Sequence, residues 1–419
     1  MGDDAFWAAA LAEAEGADAA DPLAGARARF HLPPGVIYLD GNSLGPAPEA
    51  ALGEIARAAS REWAQDLIAS WNSAGWFEMP TAYGDLVAPI VGAEAGEVVV
   101  CDTVSLNIFK TLHAALAMRP DRSVIVAEGG SFPTDLYVTE GVLATRPGAR
   151  MRLEGVDGPD LIDLIDGEVA AVLVNQVDYR TGRLRDMAAV TARAHEVGAI
   201  AIWDLCHSAG VIEVGLNAGR ADMAVGCSYK YLNCGPGAPG FVFAAARHHA
   251  DIRQPLSGWW GHARPFGFEQ GYAPDPGIRR FLCGTQPILS FRAMKPALEM
   301  MADYDLAAIR AKSMALTERF IALTEAACSP YGVGLFSPRE ANERGSQVAL
   351  THPEGYAVVQ ALIARGVIGD FRMPDIMRFG FAPLYIRHAD AVRAARMLEQ
   401  VLACEAWAEP KYRARAAVT

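Results

Sequence analysis

The chain has 419 residues, 52% of them hydrophobic and 21% charged, with a formal net charge of -12. That length exceeds what a single core usually spans, which implies one large lobe and one smaller one. The acidic balance excludes nucleic acid and anionic membrane surfaces as main partners, since both select clustered Lys and Arg, and no run approaches the roughly 18 apolar residues of a bilayer span.

The opening MGDDAFW is acidic and is followed by no apolar signal core, and Phe6 stands where a myristoylation site needs Ser or Thr. The expected location is cytoplasmic. Seven cysteines (Cys101, Cys206, Cys227, Cys234, Cys283, Cys328, Cys404) are scattered, without a C-x-x-C pair or a histidine pair at metal spacing. Reduced thiols and no metal are expected.

In chain order, EVVVCDT (97–103) reads as a strand, SLNIFKTLHAALAM (105–118) as a helix, and SVIVAEG (123–129) and AAVLVNQ (170–176) as strands. RDMAAVTARAHEVG (185–198) follows as a helix, then AIAIWDL (199–205), ADMAVGCS (221–228) and GFVFAAA (240–246) as strands. Continuous Val/Ile/Ala strands separated by helices imply an α/β domain with a mainly parallel sheet covered on both faces. After about residue 300 the pattern changes to long helices, short strand-like pieces and a C-terminal helix near 388–404. The predicted division is a large domain over 50–300 and a smaller α+β domain built from 1–49 and 301–419.

Ligands of open α/β sheets sit beyond the carboxyl ends of the strands, and three chemically able residues fall there. Asp204 closes AIAIWD, His207 follows shortly, and Lys230 lies just after ADMAVGCS, between Tyr229 and Tyr231. Alone, a lysine after a strand is a surface cation, an aspartate there is a turn or cap residue, a histidine is a satisfied core group, and the tyrosines simply pack. Together they fit pyridoxal phosphate. A lysine amine forms a Schiff base with an aldehyde, and a carboxylate keeps the cofactor's pyridine nitrogen protonated. The phosphate needs backbone N–H groups and hydroxyls at a helix start, which Asp102 to Asn107 offer, with Ser105 as the hydroxyl.

The stretches YLDGNSLGPAP (38–48), FPTD (132–135), WDLCHSAG (203–210), SYKYLNCGPG (228–237), SGWWGH (257–262), CGTQP (283–287) and MRFGFAPLY (377–385) together resemble the kynureninase family, of the bacterial type. The resemblance implies the aspartate-aminotransferase-like fold type I, with a seven-stranded sheet in the large domain, and a homodimer with active sites at the subunit interface. It implies pyridoxal-phosphate-dependent hydrolysis of L-kynurenine to anthranilate and L-alanine, a Cβ–Cγ cleavage of tryptophan catabolism. Carried onto this chain, Lys230 is the Schiff-base lysine, Asp204 the partner of the pyridine nitrogen, and Phe132 the residue stacked on the ring. Asp135, His207 and Asn175 join the cofactor-binding set. Val104, Ser105 and Tyr229 match phosphate positions, and Trp259 and Thr285 match positions that reach across from the other subunit. Tyr229 is also the candidate proton relay.

Ser43 and Arg378 match substrate-pocket positions, Arg378 because a planar guanidinium can hold a carboxylate bidentately. Thr285 stands where animal members carry Asn, and Trp71 stands near where they carry His. Losing polar partners for the 3-hydroxyl implies preference for kynurenine over 3-hydroxykynurenine. The rival reading is a cysteine desulfurase or another enzyme of the same cofactor class, with Cys328 or Cys283 as nucleophile. A non-catalytic cofactor-binding regulator is the third.

Overall fold

The computed structural model describes residues 4–155 and 158–415. The chain divides into two compact units, one of Ala50–Asp178 and Arg185–Ala302, the other of Met1–Glu49, Tyr179–Leu184 and Asp303–Thr419. The six-residue detour at Tyr179–Leu184 leaves no mark on the alternation of strands and helices in the sequence.

The first unit holds a seven-stranded sheet of β1 (Val98–Val100), β2 (Val124–Glu128), β3 (Arg150–Glu154), β4 (Val169–Asn175), β5 (Ile200–Asp204), β6 (Met223–Gly226) and β7 (Phe241–Ala244). Their order is β1-β7-β6-β5-β4-β2-β3. Neighbours are parallel except that β7 runs against both β6 and β1. Six strands coincide with the apolar runs of the sequence. The seventh, β3, is an edge strand of sequence RMRLE, half exposed and paired on one side, so no continuous apolar run betrays it.

Helices α1 (Val104–Met118), α2 (Pro133–Ala144) and α3 (Met187–Val197) connect these strands. Their ends follow from local chemistry. Asp186 caps α3 by accepting from the Ala189 N–H at 3.0 Å, and Gly198 closes it at φ +77. Val99, Ile125, Leu173, Ile202, Val225 and Val242 bury against Ile108 and Leu112 of α1. Each such burial contributes about 2 kcal/mol, which holds the strand ends in fixed register.

The second unit packs the helices Asp4–Ala19, Leu306–Cys328 and His388–Ala403 with a four-stranded antiparallel sheet ordered 370–372, 376–380, 347–351 and 334–335. The helix Ile288–Ala302 ends before 303–305, where Asp305 caps the next helix by accepting from the Ala307 N–H at 3.2 Å. The boundary between the units falls at this break. Among the described residues no helix is long and apolar enough to cross a membrane.

Candidate active site

The carboxyl ends of β4, β5 and β6 gather the residues singled out in the sequence. Asn175 and Asp204 end β4 and β5 as register partners, so their side chains share one sheet edge. Asp204 is 4% exposed, and its Oδ1 accepts from the Cys206 N–H at 2.7 Å. Burial pushes its carboxyl above the usual range, against the pull of that bond and of Lys230. A buried carboxylate in that condition regains its charge when a cation, such as a pyridinium, is set against it. Beyond the next strand, Lys230 Nζ lies 3.3 Å from His207 Nε2. Tyr229 is part-buried, and burial raises its hydroxyl above the ordinary tyrosine range.

A second row of polar groups braces the first. Asp135, in the first turn of α2, accepts from Ser131 Oγ at 3.0 Å and from Asn175 Nδ2 at 3.2 Å. Asn175 Nδ2 also donates to Ser131 Oγ at 2.6 Å and to Glu128 Oε2 at 3.2 Å, and the Asn175 N–H donates to the same Glu128 oxygen at 2.9 Å. Arg185 neutralises Glu128 through Nε at 2.8 Å. Burial, then the nearby Asp204 charge, pushes the Asp135 carboxyl well above its usual range. Phe132 sits at the N-cap position of α2 with 43% of its surface exposed. Glu128, Ser131 and Arg185 were not singled out in the sequence. The one available signal was that Glu128 ends an apolar strand.

The start of α1 has the local chemistry that an anion site requires. Thr103 caps the helix by accepting from the Leu106 N–H at 3.4 Å, and Val104 and Ser105 occupy its first turn, where backbone N–H groups lack helical partners. Gly240 clears the approach: a Cβ there would lie 2.9 Å from Gly226 O and 3.1 Å from Asn107 Nδ2. An amine, a buried carboxylate, a histidine and a helix N-terminus form a donor set that fits pyridoxal phosphate. No group of three metal-ligating side chains occurs among the described residues.

Trp71 and Trp259 pack edge to face with ring centroids 5.7 Å apart, and Trp71 meets Trp260 at 5.3 Å. The three tryptophans thus share one aromatic cluster. Thr285 is exposed on the loop that follows Phe281.

Ser43 and Arg378 belong to the other unit and form a cluster of their own. Arg378 is 1% exposed. Its Nε and Nη2 grip Asp370 at 2.8 and 2.5 Å, its Nη2 donates to Ser43 Oγ at 3.0 Å, and its Nη1 donates to Tyr179 O at 2.6 Å. The fork edge assigned to a substrate carboxylate is therefore taken by Asp370, and Ser43 Oγ donates to the same carboxylate at 2.7 Å. Burial and the Asp370 charge push the neighbouring Asp40 carboxyl up to about 7. Asp40 and Asp370 were missed in the sequence because neither stands in a motif with a charge partner.

The two candidate nucleophiles of the rival reading differ in setting. Cys328 is wholly buried at the end of its helix, with burial raising its thiol to about 12, and Cys283 is part-buried beside the loop of Thr285. Cys328, sealed in the core with Glu399 as its charged neighbour, does not meet the need of a cation-flanked thiolate.

The profile of the kynureninase C-terminal domain matches residues 309–398. A kynureninase of Burkholderia pseudomallei (strain 1106a) is 50% identical over 412 residues, 97% of this chain and 99% of that protein. A kynureninase of Pseudomonas fluorescens is 49% identical over 408 residues, 96% and 98% of the two chains. Among solved structures, a cysteine desulfurase from Thermococcus onnurineus NA1 superposes with a TM-score of 0.75 at 18% identity, over 91% of this chain and 98% of that one. A C-DES variant with glycine covalently linked to its PLP cofactor superposes at 0.76 and 16% identity, over 89% and 98%. Such distant structures share the fold, while identity near half over nearly every residue places the chain by descent: it belongs to the kynureninase family.

Proposed function

We propose that this protein hydrolyses L-kynurenine, adding water across the Cβ–Cγ bond to give anthranilate and L-alanine, with pyridoxal phosphate as cofactor. The observation that carries the reading is the amine of Lys230, 3.3 Å from His207 and beside the buried Asp204, in a chain half identical to kynureninases along its length. When bound, the cofactor supplies an electron sink for the negative charge left at the substrate Cα.

The remaining work falls to side chains. Asp204 keeps positive charge at the pyridine nitrogen, Asp135, Asn175 and His207 hold the ring substituents, and Phe132 covers a ring face. Val104, Ser105 and Tyr229 hold the phosphate. Lys230 Nζ takes the proton from Cα and returns it, and Tyr229 relays protons in the later steps. Arg378 and Ser43 orient the substrate carboxylate, for which Arg378 must share the donors now given to Asp370.

The same reading makes the protein a cytoplasmic homodimer. The site-bearing unit leaves Trp63, Leu67, Ile68, Phe266 and Phe268 between 61% and 86% exposed, which is apolar surface suited to a second copy. Across that contact Trp259 and Thr285 reach the partner's pocket, and Thr285 with Trp71 favours kynurenine over its 3-hydroxy form.

The test is to incubate cofactor-loaded protein separately with L-kynurenine, 3-hydroxy-L-kynurenine and L-cysteine, following anthranilate fluorescence and alanine release. Prompt anthranilate, faster from kynurenine than product from the hydroxylated form, is expected. Alanine from cysteine without anthranilate from kynurenine sinks the reading.

A further inference from the structure

Three uncommon features of the site-bearing unit lie on one run of contacts. Lys110, inside α1, is 0% exposed, and its Nζ bonds the Asp102 carboxylate and donates to Phe281 O at 2.6 Å. Asp102 takes φ +49, a left-handed conformation that costs a non-glycine residue about 1 kcal/mol. Gln286, 4% exposed, grips the same residue twice: its Oε1 accepts from the Asp102 N–H at 2.9 Å and its Nε2 donates to Asp102 Oδ1 at 3.2 Å. Burying an ammonium is costly, and an apolar pair of similar volume in place of a buried ion pair is often no less stable. The ion pair therefore calls for a purpose other than stability.

Position supplies one. Asp102 immediately precedes the Thr103 cap and the Val104–Ser105 turn, while Gln286 immediately follows Thr285. Phe281 O, held by Lys110, anchors the other end of the Thr285 loop. One set of bonds thus fixes the turn that opens α1 and both ends of the segment 281–286. The charges of Lys110 and Asp102 cancel, so the set adds no net attraction for an anion and acts through geometry.

We propose that Lys110, Asp102 and Gln286 are positioning residues that clamp the turn before α1 to the loop bearing Thr285, so that phosphate occupancy and order in that loop rise and fall together. The inference rests on the reading of the α1 N-terminus as the cofactor's phosphate site. Without Gln286, Asp102 relaxes toward an ordinary backbone conformation, which turns the N–H groups of Val104 and Ser105 away from a common point. In the other direction, a phosphate on those groups favours the left-handed Asp102 and gives Gln286 a fixed partner.

The test compares wild type with Gln286→Met, which keeps the packing volume and loses the hydrogen bonds. Binding of pyridoxal phosphate to apoenzyme is followed by tryptophan fluorescence, and amide hydrogen exchange is measured over 102–107 and 281–287 with and without the cofactor. In wild type, cofactor slows exchange in both segments. In Gln286→Met, affinity falls roughly tenfold, the loss of about one charge-assisted bond, and protection of 281–287 disappears while that of 102–107 persists. If the variant does not fold, Asp102→Asn takes its place: it tolerates the left-handed backbone, removes the ionic half of the clamp, and is expected to weaken binding.

Unchanged affinity with 281–287 still protected overturns the clamp, as does tighter binding by Asp102→Asn, which would mark an electrostatic role. A wild-type protein that binds no pyridoxal phosphate overturns the functional reading and the clamp with it. Neither readout requires kynurenine.

Discussion

Lys230 Nζ and His207 Nε2 stand 3.3 Å apart, beyond the carboxyl ends of two adjacent parallel strands. Lys230→Ala is expected to lose the absorbance of covalently held cofactor and all measurable turnover. His207→Gln keeps the covalent link and, by loosening a group that holds a ring substituent, weakens cofactor binding roughly tenfold, the worth of about one hydrogen bond. Full turnover by Lys230→Ala would show the scheme to be wrong.

Asp204 is buried at the end of β5, where its charge needs a cation to be stable. Asp204→Asn preserves shape and the bond from Cys206 N–H is retained by the amide oxygen, but no negative charge remains to hold a pyridinium. The expected loss in kcat is roughly 10³-fold or more, equivalent to about 4 kcal/mol. Steady-state rates at saturating cofactor check it, and a loss under tenfold would remove Asp204 from the role.

Asp40 carries a carboxyl raised to about 7 in the folded protein, far above an unfolded aspartate. Below the unfolded pKa both states hold the proton, and no penalty exists. Between about pH 4 and pH 7 the unfolded chain ionises first, so folding loses stability as pH rises, and the loss is complete above the folded value. Asp40→Asn therefore gains more in Tm over wild type at about pH 8 than at about pH 5. Equal gains at the two values would contradict it.

Asp222 shows the opposite linkage. Burial works against its charge, yet bonds from His248 at 2.8 Å, the Ala201 N–H at 2.8 Å and Arg247 at 2.7 Å, with His195 at 3.0 Å, hold its carboxyl well below the usual range. Its stabilisation is present above the unfolded pKa and fades as pH falls below it. Asp222→Asn should cost about 3 kcal/mol near neutrality, read by urea unfolding, with the gap to wild type narrowing below about pH 4.

Thr285→Asn restores an amide where the resemblance places the 3-hydroxyl contact. The ratio of kcat/KM for 3-hydroxykynurenine over kynurenine should rise roughly tenfold, the worth of one buried polar partner. Competition between the two substrates measures the ratio directly, and no rise would detach Thr285 from selectivity.

Much of the sheet was legible because buried parallel strands leave unbroken apolar runs, as in VIVAE of β2 and VAAVLVN of β4. The strand β3 was hidden because an edge strand carries Arg and Glu like any solvated segment. The placement of Lys230, Asp204 and His207 beyond the strand ends was legible because the apolar runs before them mark where those strands stop. Glu128 and Gln286 were not, since each acts on a neighbour far along the chain, Asn175 and Asp102 respectively, and Asp370 was not because it meets Arg378 only once two short antiparallel strands pair. The bidentate reading of Arg378 lacked Asp370 for the same reason. A partner brought in by folding leaves no local pattern to read.

The reversed strand β7 also sets how the protein can vary. Its direction brings Gly240 between Gly226 O and Asn107 Nδ2, where no added carbon fits, although the backbone there asks nothing special of the residue. Gly284, one residue before Thr285, faces open space. Two glycines of equal appearance in the sequence thus differ in what substitution they permit. Within one copy of the chain a side chain is accommodated at Gly284, whereas at Gly240 the backbone of Gly226 and the Asn107 amide must give way to admit even a methyl group.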